Sequence, residues 1–492
     1  MKKFTVILAS ILLVLCFALF AACNSVFDGY YWNGGFTTWE TDSNYQYESV
    51  VEQDFVSAAV DPNSYFSLDR NTASYSLMRR QIEENLKIAT DSVRIEEYVN
   101  YFNYNYARPT GDNALALGGS LFECPWNSEH ALLSISVAAE ELTIENKPQN
   151  NIVFLIDTSG SMYGADRLGL IQQAFTMLLD NLDDGDVISI VTYAGDSRVA
   201  LDGEAGSHRV KIASVIEDLE AQGSTNGAGG LQNAYRIAEK HFIEDGNNRV
   251  ILATDGDFNV GVNSKMGLKK LISEKCESGI YLSVLGVGMT NTNDITMETL
   301  ARNGNGNYAY LDSVLEAKKV LVNELGGTLV TVAKDAKIGV TFNADVVEKY
   351  RLIGYDTKML TEEQFDDVDT GAGEIGAGHT VTAVYEVELK TGATGNVAEA
   401  EVRYKDPSNN ESKSVSMTYT TADYTDAPSE DCVFVGCVLE YGLLLRDSKH
   451  KADASFESVL ARLKSIESYL QDDQFKAQFA EIVAKAAELY KN

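Results

Sequence analysis

The chain has 492 residues, 45% of them hydrophobic, and carries 72 acidic against 40 basic side chains, a net charge of −32 at neutral pH. That length allows two or three domains with cores of their own, and the apolar content is that of a globular protein rather than a disordered tract. So acidic a surface excludes nucleic acid and anionic lipid heads as charge-steered partners.

Lys2 and Lys3 precede an uncharged apolar stretch from Phe4 to Ala22, which ends at Cys23. A basic start, a short apolar run and small residues before a cleavage point predict a secretory signal peptide over residues 1–22. Phe20-Ala21-Ala22-Cys23 resembles the lipobox of bacterial lipoproteins, with Phe where Leu is more usual. The resemblance implies lipidation of Cys23 and a protein held on a membrane of the bacterial cell envelope, outside the cytoplasm. Such processing removes two lysines and no acid, shifting the charge from −32 to −34, so attachment comes from the lipid and not from charge. Cys124, Cys276, Cys432 and Cys437 are then left, and they read as small buried hydrophobes.

Residues 23–53, rich in Tyr, Trp, Asn, Gly and acid without a period, read as a tether. An N-terminal domain is expected over residues 54–148. Within it Arg79–Glu84 and Val93–Val99 have helical spacing, and Leu132–Val137 alternates as a half-buried strand does.

From 149 to 328 apolar runs alternate with amphipathic segments, which predicts an α/β domain with a doubly wound, mainly parallel sheet. The strands are expected at Ile152–Ile156, Val187–Tyr193, Val250–Thr254, Tyr281–Val287 and Tyr308–Tyr310, with Arg198–Leu201 as an antiparallel edge piece. Helices are expected at Leu168–Leu182, Arg209–Leu219, Gly230–Phe242, Lys265–Glu277 and Ile295–Asn303. The first strand ends in Asp157-Thr158-Ser159-Gly160-Ser161, so one turn aims a carboxylate and two hydroxyls at the same point. Thr225 precedes a helix and Asp255 ends the third strand, at the carboxyl edge where open α/β sheets present ligands. Hard oxygen donors of this kind suit Mg²⁺, Mn²⁺ or Ca²⁺ rather than Zn²⁺. Asp183-Asp184-Gly185-Asp186 reads as a solvated turn and not as a second metal site. An EF-hand beginning at Asp255 fails, because Val260 and Met266 stand where Gly and Glu are needed.

At Asp157, Ser159, Ser161, Thr225 and Asp255 the chain resembles the von Willebrand factor type A domain, whose metal-ion-dependent adhesion site is D-x-S-x-S, then Thr, then Asp. The resemblance implies that the two serines and the threonine touch a divalent cation, Mg²⁺ first, while the aspartates act directly or through water. It also implies an open coordination position at which a carboxylate of a protein or surface ligand binds. Ser67–Phe102, Tyr350–Tyr355 and Gly373–Thr382 resemble the N- and C-terminal regions that flank this domain in one bacterial family.

Residues 329–492 are expected as a C-terminal domain, first β-rich and sandwich-like (Ile338–Phe342, Val381–Leu389, Val397–Val402) and then helical from Cys432 to Leu489. An aspartic-protease reading of Asp157-Thr158-Ser159-Gly160 lacks the second loop that shares the proton, and no nucleophile–base pair stands out, so the chain is expected not to be an enzyme. The reading is an envelope lipoprotein that binds a ligand through a bound cation. Its alternative is an envelope assembly or scaffold factor that binds through the flanking regions and holds a structural metal.

Overall fold

Two short strands, β1 (Val56–Ser57) and β2 (Asn63–Ser67), are followed by helices Ala73–Glu83 and Ile95–Asn100 and by the antiparallel pair β3 (Leu115–Glu123) and β4 (Ala131–Ala139). The computed structural model describes residues 50–491, apart from 69, 142–147, 225–226, 257–264, 289–293 and 325–329; the expected signal peptide and Cys23 lie outside the described residues. Next come β5 (Asn150–Asp157), β6 (Val187–Tyr193), β7 (Ser197–Ala205), β8 (Asn247–Thr254), β9 (Ile280–Gly286) and β10 (Tyr308–Tyr310). Helices Leu168–Leu178, Arg209–Glu217, Gly227–Lys240, Lys265–Glu277, Asp294–Asn303 and Val314–Lys318 alternate with them.

These six strands form one sheet in the order β10-β9-β8-β5-β6-β7, parallel except for β7, which runs antiparallel to β6. Every residue of β5 and β8 is buried, as strands covered on both faces require. The alternation sorts them: Ile152, Phe154 and Ile156 enter one core and Val153 and Leu155 the other. The sheet is doubly wound, because the chain leaves β5 toward β6 on one side and later returns to β8 on the other. Its switch point therefore lies at β5 and β8, the place where such sheets open a crevice. At the start of β6, Asp183–Asp186 is the expected turn: buried Asp186 accepts from the backbone and side-chain nitrogens of Asn150, both at 2.8 Å.

The remaining strands are β11 (Thr331–Phe342), β12 (Val347–Ile353), β13 (Gly373–Gly376), β14 (Thr380–Leu389), β15 (Asn396–Lys405), β16 (Ser412–Thr420) and β17 (Tyr424–Thr425). They do not fold apart from the N-terminal segment. One sheet runs β1-β12-β14-β4-β3-β17, with β4 zipped antiparallel to β14 from Ala131↔Val387 to Ala138↔Thr380. The other runs β13-β11-β15-β16, and β2 pairs with β11. The two sheets enclose one core. The outer face of the first is covered by helices Ala73–Glu83, Ile95–Asn100, Glu430–Arg446, Phe456–Ser465 and Gln474–Tyr490. Leu132–Val137 was expected half-buried; instead all nine residues of β4 are buried, since Leu133, Ile135 and Val137 face the sandwich and Leu132 faces the helices.

Where the sandwich meets the central sheet, Glu374 of β13 is buried, and its carboxylate has no well-formed hydrogen bond among the described residues. Burial, with Asp335 adding, pushes its carboxyl well above the usual range, while Lys334 and Arg249 pull the other way. A carboxyl raised on folding binds its proton more tightly in the native state. Its contribution to stability is therefore complete below the unfolded carboxylate pKa and is lost as pH rises toward the folded value. Glu374→Gln is expected to flatten the decline in stability above pH 5 and to gain about 1 kcal/mol or more at pH 8, measured by denaturant titration. A variant with the wild-type pH slope would count against an unpaired carboxyl at this position.

Candidate metal centre

Asp157 is the last residue of β5, and its neighbours across the sheet are Tyr193, the last residue of β6, and the end of β8 at Thr254. The loop turns at once. The amide of Ser159 donates to Asp157 Oδ1 at 2.8 Å, and a short 3-10 turn over Gly160–Met162 brings Ser161 Oγ to 3.0 Å from Ser159 Oγ. On the other side the Thr254 hydroxyl donates to Asp157 Oδ2 at 3.2 Å and accepts from the amide of Gly256 at 3.3 Å. Thr254 thus ties the carboxylate of one strand to the loop that opens with Asp255. Asp157, Ser159 and Asp255 are all buried, and Ser161 is half-buried.

Thr225 lies outside the described residues, but the chain that leads to it meets this loop. Gly160 N donates to Gly223 O at 3.0 Å, and Gln222 N donates to Thr158 O at 2.7 Å. Helix Gly227–Lys240, which follows, approaches β6 closely: a Cβ on Gly230 would lie 2.7 Å from Tyr193 Cβ, so only glycine fits there. Thr158 holds this loop to β6, since its amide and hydroxyl both donate to Tyr193 O, at 2.9 and 3.2 Å. Thr158, Tyr193 and Thr254 orient the site, and sequence reasoning did not single them out. The one available signal was position, each standing at the carboxyl end of a predicted strand or directly after it.

Burial pushes the Asp157 carboxyl up to about 6, against the hydrogen bonds from Ser159 that favour its charged form, and the negative charge of Asp255 adds to the rise. Two acids and two hydroxyls gathered in a largely buried crevice are costly as an anionic cluster and well suited to a hard divalent cation. The donor set therefore fits Mg²⁺, with Asp157, Ser159, Ser161 and Asp255 as the described residues able to hold it. No group of three or more His, Cys, Asp or Glu residues with metal-ligand spacing occurs among the described residues, so a site here depends on hydroxyls. The cysteines Cys124, Cys276, Cys432 and Cys437 are free thiols. None of the described helices is long and apolar enough to cross a membrane.

The family model described as von Willebrand factor type A domain matches residues 151–323, and one described as von Willebrand factor matches residues 41–134. A third, described as the C-terminal region of the uncharacterized protein YfbK, matches residues 327–489. The chain is 37% identical over 468 residues to the uncharacterized protein YfbK of Escherichia coli (strain K12), covering 90% of this chain and 81% of that protein. It is 29% identical over 144 residues to inter-alpha-trypsin inhibitor heavy chain H4 of Sus scrofa, covering 28% of this chain and 16% of that protein. Among solved structures, von Willebrand factor type A from Catenulispora acidiphila aligns at a TM-score of 0.42 and 16% identity, over 74% of this chain and 89% of that one.

Proposed function

We propose, for a chain that belongs to the family of YfbK-like proteins with a von Willebrand factor type A domain, that it is a cell-envelope lipoprotein whose central domain binds a divalent cation and, through it, an acidic group on a protein or surface polymer. The observation that carries the reading is the convergence of Asp157, Ser159, Ser161 and Asp255 at the switch point of the central sheet. Neutral hydroxyls supply much of such a shell, so the cation keeps enough positive charge to recruit a carboxylate from outside. Mg²⁺ is the first expectation, with Mn²⁺ or Ca²⁺ as alternatives. The role is binding, not catalysis.

A second reading is an envelope scaffold in which the flanking regions bind the partner and the metal only stabilises loops. The interleaved sandwich favours it, because strands from residues 56–139 and 331–425 build one body outside the central sheet. Partner capture from membrane extract, with Mg²⁺ and with EDTA, separates the two. Thr225→Ala is expected to weaken capture in Mg²⁺ by more than it lowers the melting temperature, and EDTA to do the same to the wild type. Equal capture in all four conditions would move the binding surface to the flanking regions.

Attachment is tested separately. Cys23→Ser is expected to leave the protein unprocessed or released from membranes on fractionation, because the apolar run before it is the longest in the chain. Normally cleaved Cys23→Ser protein that still sediments with membranes would sink the lipoprotein reading.

A further inference from the structure

The loop that follows Ser161 is also contacted from outside the central domain. Helix Ala73–Glu83 belongs to the N-terminal segment, yet its Arg80 reaches the loop that carries Ser161. Arg80 Nη2 donates to Asp166 Oδ2 at 2.9 Å, and Nη1 donates to the hydroxyl of buried Tyr310 at 3.0 Å. Tyr310 in turn donates to the carbonyl of Gly288 at 3.0 Å. Next to Asp166, Arg167 Nη1 donates to the Ser161 carbonyl, and its side chain runs along Gly288 so closely that a Cβ there would lie 2.6 Å from Arg167 Nε. The contacts close a ring: Arg80, Asp166 with Arg167, Ser161 and Gly288, Tyr310, and back to Arg80.

The loop needs such a tie. Thr158 fixes its start to Tyr193, but Tyr163 is 83% exposed, Ala165 and Asp166 are also exposed, and Gly164 sits at a φ of +147°. Its internal bonds from Tyr163 N and Arg167 N are long, at 3.3 and 3.4 Å. The exposed stretch 163–166 has few buried contacts and opens at low free energy, and it directly follows Ser161 and the buried Met162. Holding a ligand hydroxyl in place through outer contacts raises metal affinity without touching the metal.

We infer that Arg80 is a positioning residue for the cation site, a clasp by which the flanking module sets the affinity of the central domain for its metal. The inference rests on the cation-binding reading above. The test uses the full chain in detergent, with Mn²⁺ as the probe, titrated by calorimetry into wild type, Arg80→Ala, Arg80→Lys and Asp166→Asn. Asp166 is half-exposed at the surface, so its variant guards against misfolding of the Arg80 variants. Arg80→Ala and Asp166→Asn are each expected to raise the Kd about tenfold. Combining them should add little, since both cut one bridge. Arg80→Lys should restore only part of the affinity, because an ammonium lacks the fork that serves Asp166 and Tyr310 together.

Hydrogen exchange of amides 160–167 in EDTA is the second measurement, with faster exchange expected in both Arg80→Ala and Asp166→Asn. A merely structural role would lower the melting temperature in EDTA and leave the Kd alone. Affinities within twofold of wild type in both variants would overturn the clasp. If wild type binds no Mn²⁺, the cation-binding reading fails, and unchanged exchange in EDTA would then overturn the clasp on its own.

Discussion

Asp157→Ala is expected to abolish the rise in melting temperature that Mg²⁺ or Mn²⁺ gives the wild-type chain. At a free cation concentration of 100 times Kd that rise corresponds to about 2.7 kcal/mol, and the variant should gain nothing. In EDTA at neutral pH the two proteins should differ far less. The variant loses the hydrogen bonds from Ser159 N and the Thr254 hydroxyl, which costs about 1–3 kcal/mol. It also loses a buried carboxylate whose proton affinity folding raises to about 6, a penalty of similar size above that pH.

The sign of the pH effect follows from the same group. A carboxyl raised on folding favours the native state most when protonated, so the stability of the metal-free protein declines as pH rises from about 4 to about 6. Cation binding requires the carboxylate and runs the opposite way, so affinity should fall as pH drops below about 6. Calorimetric scans with Mg²⁺ and with EDTA at pH 5 and pH 7.5 measure both trends. A full Mg²⁺ shift retained by Asp157→Ala would place the ion elsewhere in the molecule.

Most of the central domain was legible because a buried parallel strand writes its own limits. Val187–Tyr193 and Tyr308–Tyr310 begin and end where their apolar runs do, helix Lys265–Glu277 has the limits its spacing predicts, and Asp157 and Asp255 stand out as charges closing such runs. The architecture of the flanks was not legible in the same way. Leu132–Val137 and Val381–Leu389 each alternate with period two, but pairing β4 with β14 joins positions about 250 residues apart, and no local pattern encodes a partner at that distance. Burial on both faces of β4 escaped notice for a related reason, since Ser134 and Ser136 look solvent-facing until helices are found covering that side. The contact of Arg80 with Asp166 and Tyr310 was equally hidden: Arg80 in an Arg79-Arg80 pair is indistinguishable by sequence from a solvated charge on a helix face.

Arg79, its neighbour, carries the largest expected effect on folding. Its guanidinium is nine-tenths buried or more and its donors are fully used: Nε and Nη2 on Asp312 at 2.7 and 2.6 Å, Nη2 on Glu316 at 2.7 Å, and Nη1 on Tyr101 and Gln478 at 2.6 and 3.3 Å. Asp312 and Glu316 belong to the end of the central domain, so this pair of carboxylates meets its cation across the boundary with the flanking module. Replacing a buried ion cluster outright can be nearly neutral, but removing one member strands the others without water. Arg79→Ala is therefore expected to cost about 3–5 kcal/mol in denaturant unfolding. Arg79→Lys should recover little, because one ammonium cannot serve two carboxylates and a phenol in fixed directions. Adding Glu316→Gln to Arg79→Ala should return part of the loss by removing the charge left unpaired. The boundary also sets cooperativity. With Arg79 in place the central domain and its flanks should unfold in one calorimetric transition, whereas Arg79→Ala should separate the central domain, which keeps its own two cores, from the sandwich and helices. A loss under about 1 kcal/mol with a single unchanged transition would mean that apolar packing, such as Leu77 and Ala73 against the central sheet, holds the modules together without the ionic cluster.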